Sequence, residues 1–409
     1  MPLDENDTFV IGHRIIANGN SLSYFLIWST RKLYRMLGSQ PLLQIDATHG
    51  MVWQSSAKVN IIGFSDLNHK FFPAALCVSS AETIEIYEGI LGAMYRPLYV
   101  LADGDAAITA AVKNSFAPPP RRLMCYPHMI RCVDRKLNEL RISGDVRQDI
   151  KSDIQLLQVA TAPLVFTKAA ELLLESWIER WPIDNEIGEK VSSFATYFLN
   201  TWIDSPLKNW FEGASPVISN NSGLESANKN LKDRHVFRRQ TPFSQFVEAA
   251  EKIPAEWSSQ PEFQTPAVDY KIDRDVLFKA FTLSKERRTM AHQGTRYILP
   301  ATGTLYSAPE CQSWIAAYVA GTNLDAYLTN WNDYKDTRFK YHAVKARERE
   351  AFLCTCQIGI KKELCKHILL VKHEKGEFRW PEEFAALPLN TKFTGRPRKR
   401  QLVTRYQGN

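Results

Sequence analysis

From residue 42 onward, short apolar runs alternate with turn-rich segments. Residues 42–46 (Leu-Leu-Gln-Ile-Asp) make an apolar run that ends in an acid. Residues 58–64 and 71–78 are further strand-like runs, separated by Ser65-Asp66-Leu67-Asn68. Together they predict an antiparallel three-strand meander. The spacing of Ile84, Tyr87, Ile90, Leu91 and Met94 predicts a helix over 81–94, which Pro97 ends. Residues 98–102 read as a buried strand running into Asp103-Gly104-Asp105. A helix over 106–116 stops before Pro118-Pro119-Pro120, residues 122–126 form a fifth strand, and a long helix begins near His128.

This order, strand-strand-strand-helix-strand-helix-strand, predicts an α/β domain of RNase H-like type: a mixed sheet flanked by helices. Residues 1–40 read as an N-terminal lead-in with an amphipathic stretch near 30–37, and 41–136 as the first part of the core. Residues 137–215 turn helical and aromatic (Trp177, Trp181, Trp202, Trp210) and read as an all-helical insertion with its own small core. Those tryptophans either stack on unpaired bases or pack; their recurrence with Leu and Phe at helical spacing favours packing. The core resumes over 216–250. A helical connecting region (251–334, with helices near 273–284 and 310–330), a small zinc-binding module (335–375) and a basic tail (376–409) complete the chain.

At 409 residues, 44% hydrophobic and 11% aromatic, the chain is long enough for two or three folded units with a substantial core. The acidic, polar start predicts no secretory leader, and no run of about eighteen apolar residues predicts a membrane span. An intracellular protein is expected. The formal charge of +7 is unevenly placed: the last twenty residues carry six Lys or Arg and no acid. Such a tail points to nucleic acid or nuclear import.

Phosphodiester chemistry needs two hard cations about 3.5–4 Å apart, one activating the attacking oxygen and one stabilising the leaving oxygen. Carboxylates on a rigid scaffold suffice to hold them. Asp46, at the end of the first strand, suits the bridging position and Asp103 the second. Asp105 is better placed to cap the helix that follows. The third acid must come from a helix packed beside the first strand.

The segments Leu43-Gln44-Ile45-Asp46-Ala47-Thr48, Leu101-Ala102-Asp103-Gly104-Asp105, Cys125-Tyr126-Pro127-His128 and Ser219-Asn220-Asn221-Ser222-Gly223-Leu224-Glu225-Ser226-Ala227-Asn228 closely resemble, in this order, the Mutator-like (MULE) transposases. The resemblance covers about residues 42–250. It implies an Asp-Asp-Glu catalytic set of Asp46, Asp103 and Glu225 holding two Mg²⁺ or Mn²⁺ ions, with Glu212 the one nearby competitor for the third place. It also implies DNA cleavage at transposon ends, strand transfer into target DNA, and a homodimer or larger assembly. Cys125 and His128 are a family motif, for packing or for contact with DNA beside the cut. Asn228, Lys229 and Lys232 lie on or near one helical face with Glu225, and with Arg238 and Arg239 they are candidate DNA contacts; a solvated face is the other reading. Many family members carry a DNA-binding module ahead of the core, whereas about forty residues precede Asp46 here.

Near the C-terminus, Cys354, Cys356, Cys365 and His367 give Cys-x-Cys-x8-Cys-x-His. Four such ligands suit a closed tetrahedral Zn²⁺ site, with His373 a spare. The spacing resembles the SWIM zinc finger that commonly follows the MULE core, a module that binds DNA or protein. Gly395-Arg396-Pro397-Arg398-Lys399-Arg400 resembles an AT-hook, with Arg396 and Arg398 as minor-groove contacts, and would serve equally for nuclear import. The expectation is a nuclear DNA transposase. The alternative is a domesticated, transposase-derived transcriptional regulator that binds DNA without cutting it.

Overall fold

The computed structural model describes residues 2–19, 21–53, 57–214, 218–234, 240–268, 270–285, 290–293, 296–301, 313, 324–346, 352–361 and 364–385. The chain is mixed α/β, built on a seven-stranded mixed sheet flanked by helices. The strands are β1 (Thr8–Asn18), β2 (Ser21–Thr30), β3 (Leu42–Thr48), β4 (Lys58–Ser65), β5 (Phe71–Ser79), β6 (Tyr99–Ala102) and β7 (Arg121–Met124), in the order β1-β2-β5-β4-β3-β6-β7. Neighbours from β1 through to β3 are antiparallel, while β3, β6 and β7 run parallel. The three-strand meander read from the sequence is therefore present as β3-β4-β5.

β3, β4 and β5 are buried almost throughout, as expected of strands covered on both faces. β6 shows the two-residue period directly: Leu101 enters one apolar cluster, Val100 and Ala102 the other. Helices α1 (Arg31–Gly38), α2 (Ile84–Gly92) and α3 (Ala106–Ser115) start on side-chain caps, with Thr30, Thr83 and Asp105 accepting from first-turn backbone N–H groups.

Two strands lie where a lead-in was expected. β1 and β2 form a hairpin on the sheet edge. Edge exposure explains why the pattern does not announce them: Val10, Ile15 and Leu22 sit in water, so alternation is lost.

Helices α4 (Tyr126–Glu139), α5 (Gly144–Gln158), α6 (Pro163–Arg180) and α7 (Glu186–Phe198) follow β7. The expected private core of this helical region is not what forms. Trp177, Phe194, Phe198, Trp202 and Trp210 share one cluster with Leu101, Leu123 and Met124 of the sheet, and with Trp331 and Tyr334 far along the chain. These tryptophans pack; Trp177 and Trp210 are fully buried.

Next come α8 (Ser222–Arg234), α9 (Phe243–Ala250), α10 (Ile253–Ser259) and α11 (Arg274–Lys285). The region read as purely helical holds two strands, β8 (Ala291–Gln293) and β9 (Arg296–Pro300); the helix expected near 310–330 lies mostly outside the described residues. With β10 (Tyr341–Ala346) and β11 (Phe352–Cys354) these strands make a second sheet, β11-β10-β9-β8. Helices α12 (Trp331–Lys340), α13 (Gln357–Ile360) and α14 (Lys366–Glu374) accompany it. Among the described residues, no helix is long and apolar enough to cross a membrane.

A buried acid joins distant parts of this fold. Asp153 on α5 accepts from the indole N–H of Trp177 (3.0 Å) and of Trp331 (2.9 Å), and pairs with Arg180 and Lys335. Removing it leaves two indole donors and two cations without their acceptor. Asp153→Ala is expected to cost about 2–4 kcal/mol in chemical denaturation, with Asp153→Asn losing less; an alanine variant as stable as the parent would show the node to be idle.

Candidate functional site

The parallel pairing of β3 and β6 brings two acids together. Asp46 lies near the end of β3, and Asp103 directly follows β6. Loops diverge at the carboxyl ends of parallel strands and open a crevice there. Asp103 Oδ1 accepts from the Asp105 N–H (3.1 Å), while Asp105 caps α3 through the N–H groups of Ala107 and Ile108 (2.6 and 3.1 Å). The two neighbouring acids thus do different work, as their positions in the sequence suggested.

Arg122 was not singled out from the sequence. Its guanidinium is buried beneath the Asp103 turn and donates to the carbonyls of Ala102 (3.3 Å), Leu123 and Asp103. Burial pulls its pKa down to about 10. An interior cation whose partners are carbonyls holds that turn in place. A lone Arg in a strand carries no sequence signal for such a role.

The third acid arrives on α8. The loop before it is pinned to β3: Gln44 donates through Nε2 to Asn221 Oδ1 (3.0 Å) and to the Asn220 carbonyl (3.3 Å), while Gln44 Oε1 accepts from Ser65 (2.7 Å). Asn221 N–H donates to Cys125 Sγ (3.4 Å), tying the same loop to the start of α4. A Cβ at Gly223 would fall 2.6 Å from Phe71 Cβ, so only glycine lets α8 lie this close to β5. Two residues on, Glu225 lines the same cleft as Asp46 and Asp103.

That cleft encloses about 670 Å³. Asp46, Asp103 and Glu225 line it with His49, His128 and Arg131, and Lys229 and Lys232 stand on the α8 side. Asn228, grouped in the sequence with the DNA contacts, is buried and donates to Asp46 Oδ2 (3.0 Å). Glu225 pairs with Arg131, and His128 Nε2 lies 3.6 Å from Glu225 Oε1. Cys125 is a buried residue at the head of α4, its thiol pushed up to about 11 by burial; the Cys-x-x-His pair therefore divides into a packing residue and a cleft residue. Glu212 lies elsewhere, buried and accepting from Gln158 (3.1 Å) and Ser219 (2.8 Å). Arg238, Arg239, Arg396 and Arg398 are outside the described residues.

Burial raises the Asp46 carboxyl to about 7, with Asp103 and Glu225 adding like-charge repulsion and Arg131 and Asn228 opposing it. Burial, then Arg131, lowers His128 below its usual value. The three acids, with oxygen donors only, suit a hard cation.

A second site lies in the C-terminal module. Cys354 ends β11, Cys356 caps α13, and Cys365 and His367 open α14. All four are buried, and their ligand atoms lie within 4.8 Å of one another. The Cys354 Sγ–His367 Nδ1 and Cys365 Sγ–His367 Nδ1 separations are 3.6 and 3.9 Å. A tetrahedron with Zn–S near 2.3 Å and Zn–N near 2.05 Å has an S···N edge of about 3.6 Å, so this buried Cys3His group could bind zinc. Burial pushes the Cys354 and Cys365 thiols up; a bound cation reverses that by stabilising the thiolates. His373 sits outside the group, with Nδ1 3.0 Å from the Phe378 carbonyl oxygen. Among the described residues this is the one group of three or more candidate ligands so closely gathered; the three acids of the cleft are spread more widely.

No protein-family model matches the chain, and no curated protein matches it.

Two measurements test these sites. An unfolded-state Asp ionises near pH 4, so between about pH 4 and 7 the folded chain keeps a proton on Asp46 that the unfolded chain has lost. Stability from this residue is full below that window and is lost as pH rises through it. In EDTA, Asp46→Asn is expected to melt about 3 °C above the parent at pH 8 and to coincide with it at pH 4; a gap that does not change with pH would rule out this strain. For the second site, native mass spectrometry should find about one zinc per chain, lost in Cys365→Ser and kept in His373→Ala. Full zinc in the serine variant would place the ion elsewhere.

Proposed function

We propose that the chain is a DNA transposase of the Mutator-like, Asp-Asp-Glu type, which cleaves and transfers DNA strands in the β3–β6–α8 cleft. The observation that carries this reading is the meeting of Asp46, Asp103 and Glu225, from three separate elements, at one cleft lined by Arg131, Lys229 and Lys232. The succession β3-β4-β5-α2-β6-α3-β7 supports an RNase H-like core.

In this reading Asp46, Asp103 and Glu225 hold Mg²⁺ or Mn²⁺. Bound there, two such ions would activate the attacking oxygen and stabilise the leaving one. The raised Asp46 carboxyl fits this assignment, because a carboxylate crowded by two others gains most from a nearby cation. Asn228 orients Asp46 through its amide. Arg131, Lys229 and Lys232 bind DNA phosphates, whose charge matches theirs. The Cys3His group is the centre of a SWIM-type module that adds DNA or protein contacts. The protein acts in the nucleus as a dimer or larger assembly, bringing element ends and target together.

The test is a cleavage and strand-transfer assay on supercoiled DNA with Mg²⁺ or Mn²⁺. The parent should nick or join strands, with Asp46→Asn and Glu225→Gln each slower by at least about a hundredfold. A parent that binds DNA yet leaves every strand intact, alongside identical variants, would favour a transposase-derived transcriptional regulator.

A further inference from the structure

Most of the described tryptophans are buried, and two (Trp181 and Trp380) are partly so; only Trp53 is exposed, at 65%. Leaving an indole in water forgoes about 1.5–3 kcal/mol of burial, which on a loose loop would mean little. The backbone leading up to the ring is held. Met51 and Val52, immediately before it, are 1% exposed and belong to the main apolar cluster. Trp53 N–H donates to the Thr241 carbonyl (2.9 Å), and Thr241 returns two bonds to the Met51 carbonyl, from its N–H (3.0 Å) and its hydroxyl (3.1 Å). The backbone is fixed and the ring is left outside.

The position matters as much as the exposure. Residues 49–53 continue directly from the strand that carries Asp46, and His49 and Gly50 line the acid cleft. Gly50 turns the chain at φ +76°, a conformation that favours glycine. Three residues further on, the Trp53 Cα lies within about 11 Å of that wall. A stacked strand rises about 3.4 Å per nucleotide, so the indole is within about three nucleotides of a phosphate bound there. Lys229 and Lys232 line the same cleft, cations for the sugar-phosphate backbone. A flat ring beside a phosphate-binding wall has one natural complement, the face of a nucleobase. Bases in a duplex already have both faces covered, so the partner is an unpaired base.

We infer that Trp53 is a stacking platform for an unpaired nucleobase of the strand whose phosphates lie in the acid cleft. The inference rests on the DNA-processing reading of that cleft and extends it: substrate with a melted, frayed or mismatched step near the cut is held in preference to fully paired duplex. Discrimination resides in one aromatic ring that the buried tryptophans of the helical region cannot replace.

The test uses the full chain with Ca²⁺ and fluorescence anisotropy. Two probes are compared: a fully paired duplex, and the same duplex with a short unpaired bubble. The parent is expected to bind the bubble more tightly. Trp53→Ala should weaken bubble binding about 5- to 150-fold and leave paired-duplex binding within about twofold, with Trp53→Phe retaining most of the preference. Melting curves check that each variant is folded. Equal losses on both probes would make Trp53 part of a general DNA face, and no loss on either would make it an idle surface residue; each result overturns stacking while leaving the acid cleft as a DNA site. A parent that binds neither probe removes the DNA reading and this inference with it.

Discussion

One buried amide governs where the third acid sits. Gln44 uses both ends of its side chain, donating to the loop before α8 and accepting from Ser65 on β4. It stands two residues before Asp46, so the pleat places both on the same face of β3. A register slip of one residue in β3 would turn both away together. The acid and the anchor that brings it a partner are therefore coupled by strand geometry. Gly223 completes the fit by letting α8 approach Phe71 without a Cβ in the way. Asn228 then reaches Asp46 from the same helix.

Charge in the cleft is arranged against stability. Asp46 is buried, close enough to two other acids to be raised to about 7. Arg131, paired with Glu225, and the Asn228 amide relieve part of this. The acids form one group, and Lys229, Lys232 and Arg131 line the same space. A chain that needed only to fold would gain by making Asp46 an amide. In the proposed reading, a carboxyl whose charge is disfavoured is kept for its part in binding a cation or in catalysis.

Much of this was legible in the sequence because the signals were local. The strands from β3 to β7 are apolar runs bounded by turns, and their succession is the order the pattern predicted. Asp103 and Asp105 were separable because a helix cap has a fixed position relative to its helix. What escaped was decided by tertiary contact. β1 is the sheet's edge strand, its hairpin with β2 leaves apolar residues in water, β8 and β9 are short, and the helical region's core proved continuous with the sheet. Asn228 and Arg122 are polar residues whose roles depend on neighbours more than a hundred positions away, Asp46 for the first, or on burial, which no spacing encodes. The four residues of the Cys3His group sat at the other extreme, all within fourteen residues and grouped by their spacing alone.

Asp153 sets where the chain can be divided. Its carboxylate is shared by Trp177 and Arg180 of α6 and by Trp331 and Lys335 of α12, and the apolar cluster around it continues to Tyr341 and Ala343. A fragment ending before residue 331 would keep the acids of the cleft but strip half the partners from a buried charge that steadies the helices following β7. The middle and last thirds of the sequence are thus joined through one buried node, and the smallest self-sufficient piece extends well past the last acid of the cleft.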